Sequence, residues 1–252
     1  MKYQFRKTIV LALGGSILYP ENIDTRFIQK FARTIQQFVR EENKRFVTVT
    51  GGGRLSRLYQ KAASEIVPIT DEDKDWLGIH ATRLNAHLMR TVFKDIADPV
   101  VFDTRHKRKK IQYPVTFASG WRPGWSTDYI AVALAVDYGA SEVIIAGKPS
   151  HVYPHTKRES RQEKNNSRSG VGVYDPSNPS LDYAEPFTTL SWKEYRKLIP
   201  QKWTPGFQSP VDPVGARLAQ KEGIKAIVVD GRDLKNFSAL IKGKEFVGTI
   251  IT

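Results

Sequence analysis

The chain has 252 residues and no cysteine, and its 39 lysines and arginines against 26 aspartates and glutamates give a net charge of +13. At roughly 100–200 residues per domain, this length makes one large domain or two small ones. A composition of 40% hydrophobic and 26% charged residues excludes a disordered chain, and the lack of cysteine excludes a disulfide scaffold, a thiolate-ligated metal site and a thiol enzyme.

The cationic excess attracts polyanions: nucleic acid, nucleotides or an anionic membrane. Charge alone does not choose among them. No apolar run approaches the roughly 18 residues that span a bilayer. Met1 to Thr8 is polar and leads directly into a strand-like run, so no signal peptide is expected and the cytoplasm is the expected compartment.

Ile9 to Leu13 reads as a buried strand ending in Gly14-Gly15-Ser16. Asp24 to Arg40 carries Phe27, Ile28, Phe31, Ile35, Phe38 and Val39 at the spacing of an amphipathic helix. Phe46 to Val49 is the next strand and runs into Gly51-Gly52-Gly53. Helices are expected from about Leu55 and over roughly Gly78 to Phe93. Val100 to Phe102 and Val115 to Ala118 read as short strands, the second entering Gly120. Thr127 or Asp128 is expected to cap a helix that runs to Tyr138, with Gly139 as its stop. Val143 to Ala146 is strand again.

Asp212 followed by Pro213 opens a helix that Gly223 closes. Ile224 to Val229 is a strand, Asp233 to Gly243 a helix, and Val247 to Ile251 a last strand. This alternation predicts an α/β fold, a three-layer α/β/α sandwich with a mostly parallel central sheet. Two stretches break the pattern. Arg105 to Lys110 is a basic run, expected as a hairpin or a loop tip. Pro154 to Pro186 is a long polar insertion containing Lys157, Arg158, Arg161, Lys164 and Arg168.

Three strand ends carry glycine-rich turns: Gly14-Gly15-Ser16, Gly51-Gly52-Gly53-Arg54, and Gly120 through Trp121, Arg122, Pro123, Gly124, Trp125, Ser126 and Thr127 to Asp128. In an open parallel sheet ligands bind at the carboxyl ends of the strands. Glycine lets backbone N–H groups approach a phosphate. One such turn is most often only a turn; three at one edge point to a site for several phosphates. None has the Walker A or dinucleotide-binding spacing.

The order of these turns resembles the amino acid kinase superfamily, and within it the archaeal-type uridylate kinases. The resemblance rests on Leu11 to Leu18, Gly51 to Arg57, Asp75 to Ala86, Gly120 to Asp128, and Ser209 to Arg217, and it covers nearly the whole chain. It implies in-line transfer of the γ-phosphoryl of ATP to UMP, with magnesium, by positioning and charge neutralisation. It implies one domain, with residues 1–119 on the UMP side and 120–252 on the ATP side.

By the same resemblance Gly14, Gly15, Ser16 and Gly53 hold the ATP phosphates, and Gly52 lies against UMP. Arg57 neutralises phosphate with Arg54 in support, and Asp75 takes the UMP ribose hydroxyls. Trp121 to Thr127 wrap UMP, while Asp128 and Asp212 organise the phosphate-binding groups or the magnesium. Read without the resemblance, Asp128 and Asp212 are plain helix N-caps, Arg54 and Arg57 a solvated helix face, and Trp121 and Trp125 packing residues. His80 and His87 lack a third ligand for a metal site.

Two departures stand out. The lysine that many superfamily members carry two residues before the first turn is Ala12 here. The donor segment, usually Thr-Asn-Val-Asp-Gly-Val-Tyr followed by Asp-Pro, is Gly147-Lys148-Pro149-Ser150-His151-Val152-Tyr153, and the acid arrives only at Asp175, beyond the basic stretch. Lys148 is expected to restore part of the lost charge, Tyr153 (or in its place Tyr174) to meet the adenine, and Asp175 to complete the site. The resemblance further implies a homo-oligomer, a hexamer. Nucleic acid is expected only as a non-specific partner. The alternatives are a kinase of the superfamily with another small acceptor, or a weakened nucleotide-binding or regulatory protein.

Overall fold

The computed structural model describes residues 1–107, 109–154, 185–202 and 209–252. Asp175, Tyr174 and the basic residues of the insertion lie outside these ranges. Among the described residues, seven strands form one sheet in the order β3-β2-β1-β4-β6-β7-β5. These are β1 (Thr8–Leu13), β2 (Arg45–Thr50), β3 (Val115–Ala118), β4 (Glu142–Gly147), β5 (Thr189–Leu190), β6 (Lys225–Asp230) and β7 (Thr249–Ile251). The pairs from β3 to β6 are parallel, β7 runs antiparallel to β6, and β5 is parallel to β7.

The helices are α1 (Gly15–Leu18), α2 (Thr25–Glu42), α3 (Gly53–Ile66), α4 (Asp71–Val92), α5 (Thr127–Asp137), α6 (Trp192–Leu198), α7 (Pro213–Glu222) and α8 (Leu234–Ile241). The strands read as continuous apolar runs because both sheet faces are covered. Their alternate residues supply two separate cores. Val10, Ala12, Val47, Val49, Val143 and Ile145 pack toward α5, α6 and α7. Ile9, Leu11, Leu13, Phe46 and Ile144 pack toward α2, α4 and α8. The three-layer expectation therefore holds. No helix among the described residues is long and apolar enough to cross a membrane.

Several boundaries differ from the sequence expectation. Helix α4 starts at Asp71, not near Gly78, because Thr70 and Asp73 form a reciprocal capping box. Val100 to Phe102 forms only an isolated bridge, Phe102 to Ala118. There the Asp98 carboxylate accepts from the Val100 N–H and turns the chain. The cap of α5 is Ser126, whose Oγ accepts from the Tyr129 N–H at 3.1 Å. Thr127 and Asp128 lie inside the first turn. Helix α6 and strand β5 were not anticipated; α6 is set by a Ser191–Glu194 capping box.

Candidate active site at the strand ends

The carboxyl ends of β1, β2, β3 and β4 open into one cleft of about 440 Å³. The turns after these strands are tied to one another by backbone. Gly51 N–H donates to Leu13 at 2.9 Å, Gly14 N–H to Ala146 at 2.9 Å, and Gly231 N–H to Gly147 at 2.8 Å. The first two turns lie so close that a Cβ on Gly15 would fall 2.1 Å from the Gly53 nitrogen. Gly53 also has φ +65°, so this crossing excludes a side chain both sterically and conformationally.

Two buried polar side chains hold the turns from below. Asn85 on α4 donates to the carbonyls of Gly51 at 2.8 Å and Gly52 at 3.3 Å. Thr82, one turn earlier, accepts from the Gly120 N–H at 2.7 Å, and its carbonyl takes the Thr50 hydroxyl at 3.1 Å. Sequence reading assigned neither residue a role. Their signal was a polar pair at helical spacing on the face of α4 that also carries buried Ala86 and Met89.

Gly14, Gly15, Ser16, Gly52, Gly53, Arg57, Asp75, Lys148 and Tyr153 all line the cleft. So do Arg122, Trp125, Ser126, Thr127 and Asp128, but not Trp121, Pro123 or Gly124. Trp121 is buried in the core under α5, and its indole N–H donates to the Phe102 carbonyl at 3.1 Å. The Gly124 N–H donates to the Asp75 carboxylate at 2.8 Å, which joins α4 to the third turn. Arg122 stacks its guanidinium 3.8 Å from the Trp125 ring centre, and Trp125 packs on Tyr129 at 4.8 Å. Arg54 faces away, 3.9 Å from Glu21.

The acids are arranged in depth. Asp212 is buried behind the lining and caps α7, accepting from Val214 N–H at 2.7 Å and Gly215 N–H at 3.1 Å. Its other oxygen accepts from the Ser126 hydroxyl. The caps of α5 and α7 are thus bonded to each other, and the amino ends of both helices meet at the cleft wall. Burial, with the Asp212 charge added, pushes the Asp128 carboxyl well above the usual carboxylate range. Burial also raises the Asp75 carboxyl, partly offset by the Gly124 N–H.

On the β4 side, His151 joins Lys148 and Tyr153 in the lining. Its Nδ1 sits 3.0 Å from the Ser150 hydroxyl. Burial lowers the imidazole pKa, which favours a neutral ring. The arrangement offers backbone amides and cations to phosphate groups and carboxylates to polar hydroxyls. That is the equipment of phosphoryl transfer, not of a covalent nucleophile.

The chain is similar to known proteins along nearly its whole length. The amino acid kinase family model matches residues 7–110. A uridylate kinase of Methanoregula boonei is 30% identical over 242 residues, spanning 94% of this chain and 93% of the relative. One from Methanocorpusculum labreanum is 28% identical over 247 residues, spanning 96% and 94%. The crystal structure of uridylate kinase from Archaeoglobus fulgidus superposes with a TM-score of 0.68 at 26% identity, covering 98% of this chain and all of that one.

Proposed function

The chain belongs to the amino acid kinase family, and we propose that it phosphorylates UMP, moving the γ-phosphoryl of ATP to give UDP and ADP. The observation that carries this reading is the meeting of three glycine turns, two cap-linked helix ends and four cations, Arg57, Lys74, Arg122 and Lys148, in one cleft. Relatives that span nearly the whole chain and bear the name uridylate kinase support the acceptor.

In this reading Gly52, Asp75, Arg122, Trp125, Ser126 and Thr127 receive UMP, with Arg54 and Trp121 supporting from outside the lining. Gly14, Gly15, Ser16, Gly53, Lys148 and Tyr153 receive ATP, and Arg57 lies between the two phosphates. Residues 1–119 form most of the acceptor side of a single domain and 120–252 most of the donor side, except that the turn after β3 serves the acceptor and Gly14, Gly15, Ser16 and Gly53 serve the donor. Amide donors and cations fixed before the reaction neutralise charge on the transferring group without reorganisation.

Among the described residues no group of three or more histidines and carboxylates could hold a metal on its own. The donor set suits magnesium that arrives on the nucleotide, with Asp128 as a single protein carboxylate beside it and Asp212 behind. When bound, magnesium supplies charge neutralisation across the donor phosphates. The proposed substrates are intracellular compounds, so the cytoplasm is the proposed compartment.

A homo-oligomer, by family expectation a hexamer, is also proposed. Helix α3 has no buried residue. With α4 it exposes Leu58, Tyr59, Ile66, Trp76 and Leu84, an apolar surface that a second copy would cover.

The test is ADP formation by purified protein with ATP and magnesium against UMP, CMP, dTMP, AMP and several amino acids. UMP-dependent turnover, lost in Arg57→Ala and Asp75→Ala, is the expected result. Turnover with an amino acid and not with UMP overturns the acceptor, and no turnover with any acceptor overturns the kinase reading.

A further inference from the structure

A second concave surface lies on the α2 layer, sharing no lining residue with the cleft. It is a groove of about 570 Å³ between α2 and α8. Five cations line it: Lys30 and Arg33 from α2, and Lys235, Lys242 and Lys244 from α8 and its end. No carboxylate lines it. None of the five is ion-paired among the described residues, although other surface cations such as Lys107 and Arg232 are.

The groove is the outer seam of a packed helix pair. Phe31 of α2 meets Phe237 of α8 with ring centres 6.3 Å apart. The cations are therefore held in two rows by a rigid floor. Lys235 stands in the first turn of α8 and Lys242 at its C-cap, while Lys30 and Arg33 stand one turn apart on α2. Five like charges lining one groove without an acid among them favour an anionic occupant, and a run of phosphates supplies one.

We propose that this groove binds single-stranded nucleic acid through its phosphate backbone, without sequence preference. The charge pattern matches a strand of regularly spaced anions. The groove is open and no acid lines it, so a flexible single strand can bring successive phosphates to both rows, whereas the phosphate spacing of a duplex is fixed. The lining holds no aromatic ring, so bases have no stacking platform and the contacts stay on the backbone. A membrane surface fits worse. The apolar lining residues Leu234 and Ala239 are half-buried at the floor, where they cannot insert among lipids.

The test is fluorescence anisotropy of the full chain with a labelled 20-residue oligo-thymidine between 50 and 200 mM salt. With about 0.7 counterions released per contacted phosphate, five contacts give a log–log slope of about −3.5, so the fourfold rise in salt weakens binding about 100-fold. The triple variant Lys30→Ser, Lys235→Ser, Lys242→Ser is expected to lose about 2 from that slope, with ADP formation unchanged. The control triple Lys94→Ser, Lys193→Ser, Lys197→Ser removes the same charge from exposed positions outside the groove. Absence of binding at 50 mM salt overturns the proposal. So does equal loss in the two triples, which makes the effect one of net charge. Binding of phosphatidylserine vesicles that is lost in the groove triple, without binding of the oligonucleotide, overturns it in favour of a membrane.

Discussion

Gly53→Ala probes the contact on which the candidate site is built. Two effects add at this position. The backbone sits at φ +65°, where an alanine side chain costs about 1–2 kcal/mol. The new Cβ would also fall 2.3 Å from the Gly15 carbonyl oxygen and 2.6 Å from its carbon. Restoring ordinary contact requires that turn to retreat by about 1 Å. Overpacking of this kind costs about 1–3 kcal/mol more. The sum, about 2–5 kcal/mol, corresponds to a Tm lower by roughly 5–20 °C for a chain of this size.

The control is Gly139→Ala. Gly139 has the same φ of +65°, but a Cβ there meets nothing within 4 Å. It carries the conformational penalty alone, so the difference in Tm between the two variants isolates the steric clash. Activity separates them further. A misplacement of 1 Å among groups that orient a reaction lowers the rate by about 100-fold. Gly53→Ala is therefore expected to lose at least that much kcat for UMP-dependent ADP formation, and Gly139→Ala almost none. Equal Tm values, or wild-type turnover by Gly53→Ala, would refute the close crossing of the two turns and its part in the site.

Other substitutions test the acids, the donor side and the core beneath them. Lys148→Ala is expected to lower kcat by orders of magnitude while leaving Tm nearly unchanged; steady-state kinetics showing an unchanged rate would remove this lysine from the transfer. Asp128 holds its proton to higher pH when folded than when unfolded. Its stabilising share is therefore complete below the ordinary carboxylate range and lost as pH rises through its raised value. Asp128→Asn should melt with wild type near pH 4 and above it at neutral pH, with turnover abolished; a Tm difference that does not grow from pH 4 to 8 contradicts this. Tyr195→Phe removes the acceptor of the buried Val211 N–H, whereas the Val211 carbonyl keeps the Ser209 hydroxyl. One orphaned donor predicts a loss of about 1–3 kcal/mol in urea unfolding, and a loss under 0.5 kcal/mol would show that water replaces the phenol.

What was legible in the sequence was what local pattern decides. Ile9 to Leu13 and Val143 to Ala146 declare themselves because a strand buried on both faces has no polar alternate positions. Asp212-Pro213 and Gly223 fix α7 because each satisfies a local backbone requirement. The cap of α5 was not legible. Ser126, Thr127 and Asp128 are all capping residues, and Asp212, 86 positions away from Ser126, bonds to the serine chosen. Asn85 and Thr82 were hidden for the same reason. A polar residue on a helix reads as solvent-facing until the carbonyls of Gly51 and Gly52 and the amide of Gly120 are brought against it by the fold.

Strand order explains why the site forms where it does. From β1 the chain steps outward through β2 to β3, crosses back to β4 on the other side of β1, forms β5 at the far edge and returns to β6 beside β4. The direction of winding therefore reverses between β1 and β4, and helices leave a crevice at such a reversal. Gly14 bonds to Ala146 across that line. The turns after β2 and β3 lie on one side of it and the segment from Lys148 to Tyr153 on the other. A reaction that joins two phosphorylated partners needs a binding surface for each and a shared boundary bare of side chains. In the proposed reading the glycines after β1 supply that boundary, and Ala12, which lines the cleft beside them, adds no charge to it. Lys148 follows the adjacent strand end and lines the same cleft, and in the proposed reading it serves the donor. This predicts that Ala12→Lys rescues Lys148→Ala in kcat but not wild type. Additive loss in the double variant would show that the two positions do not serve the same phosphate.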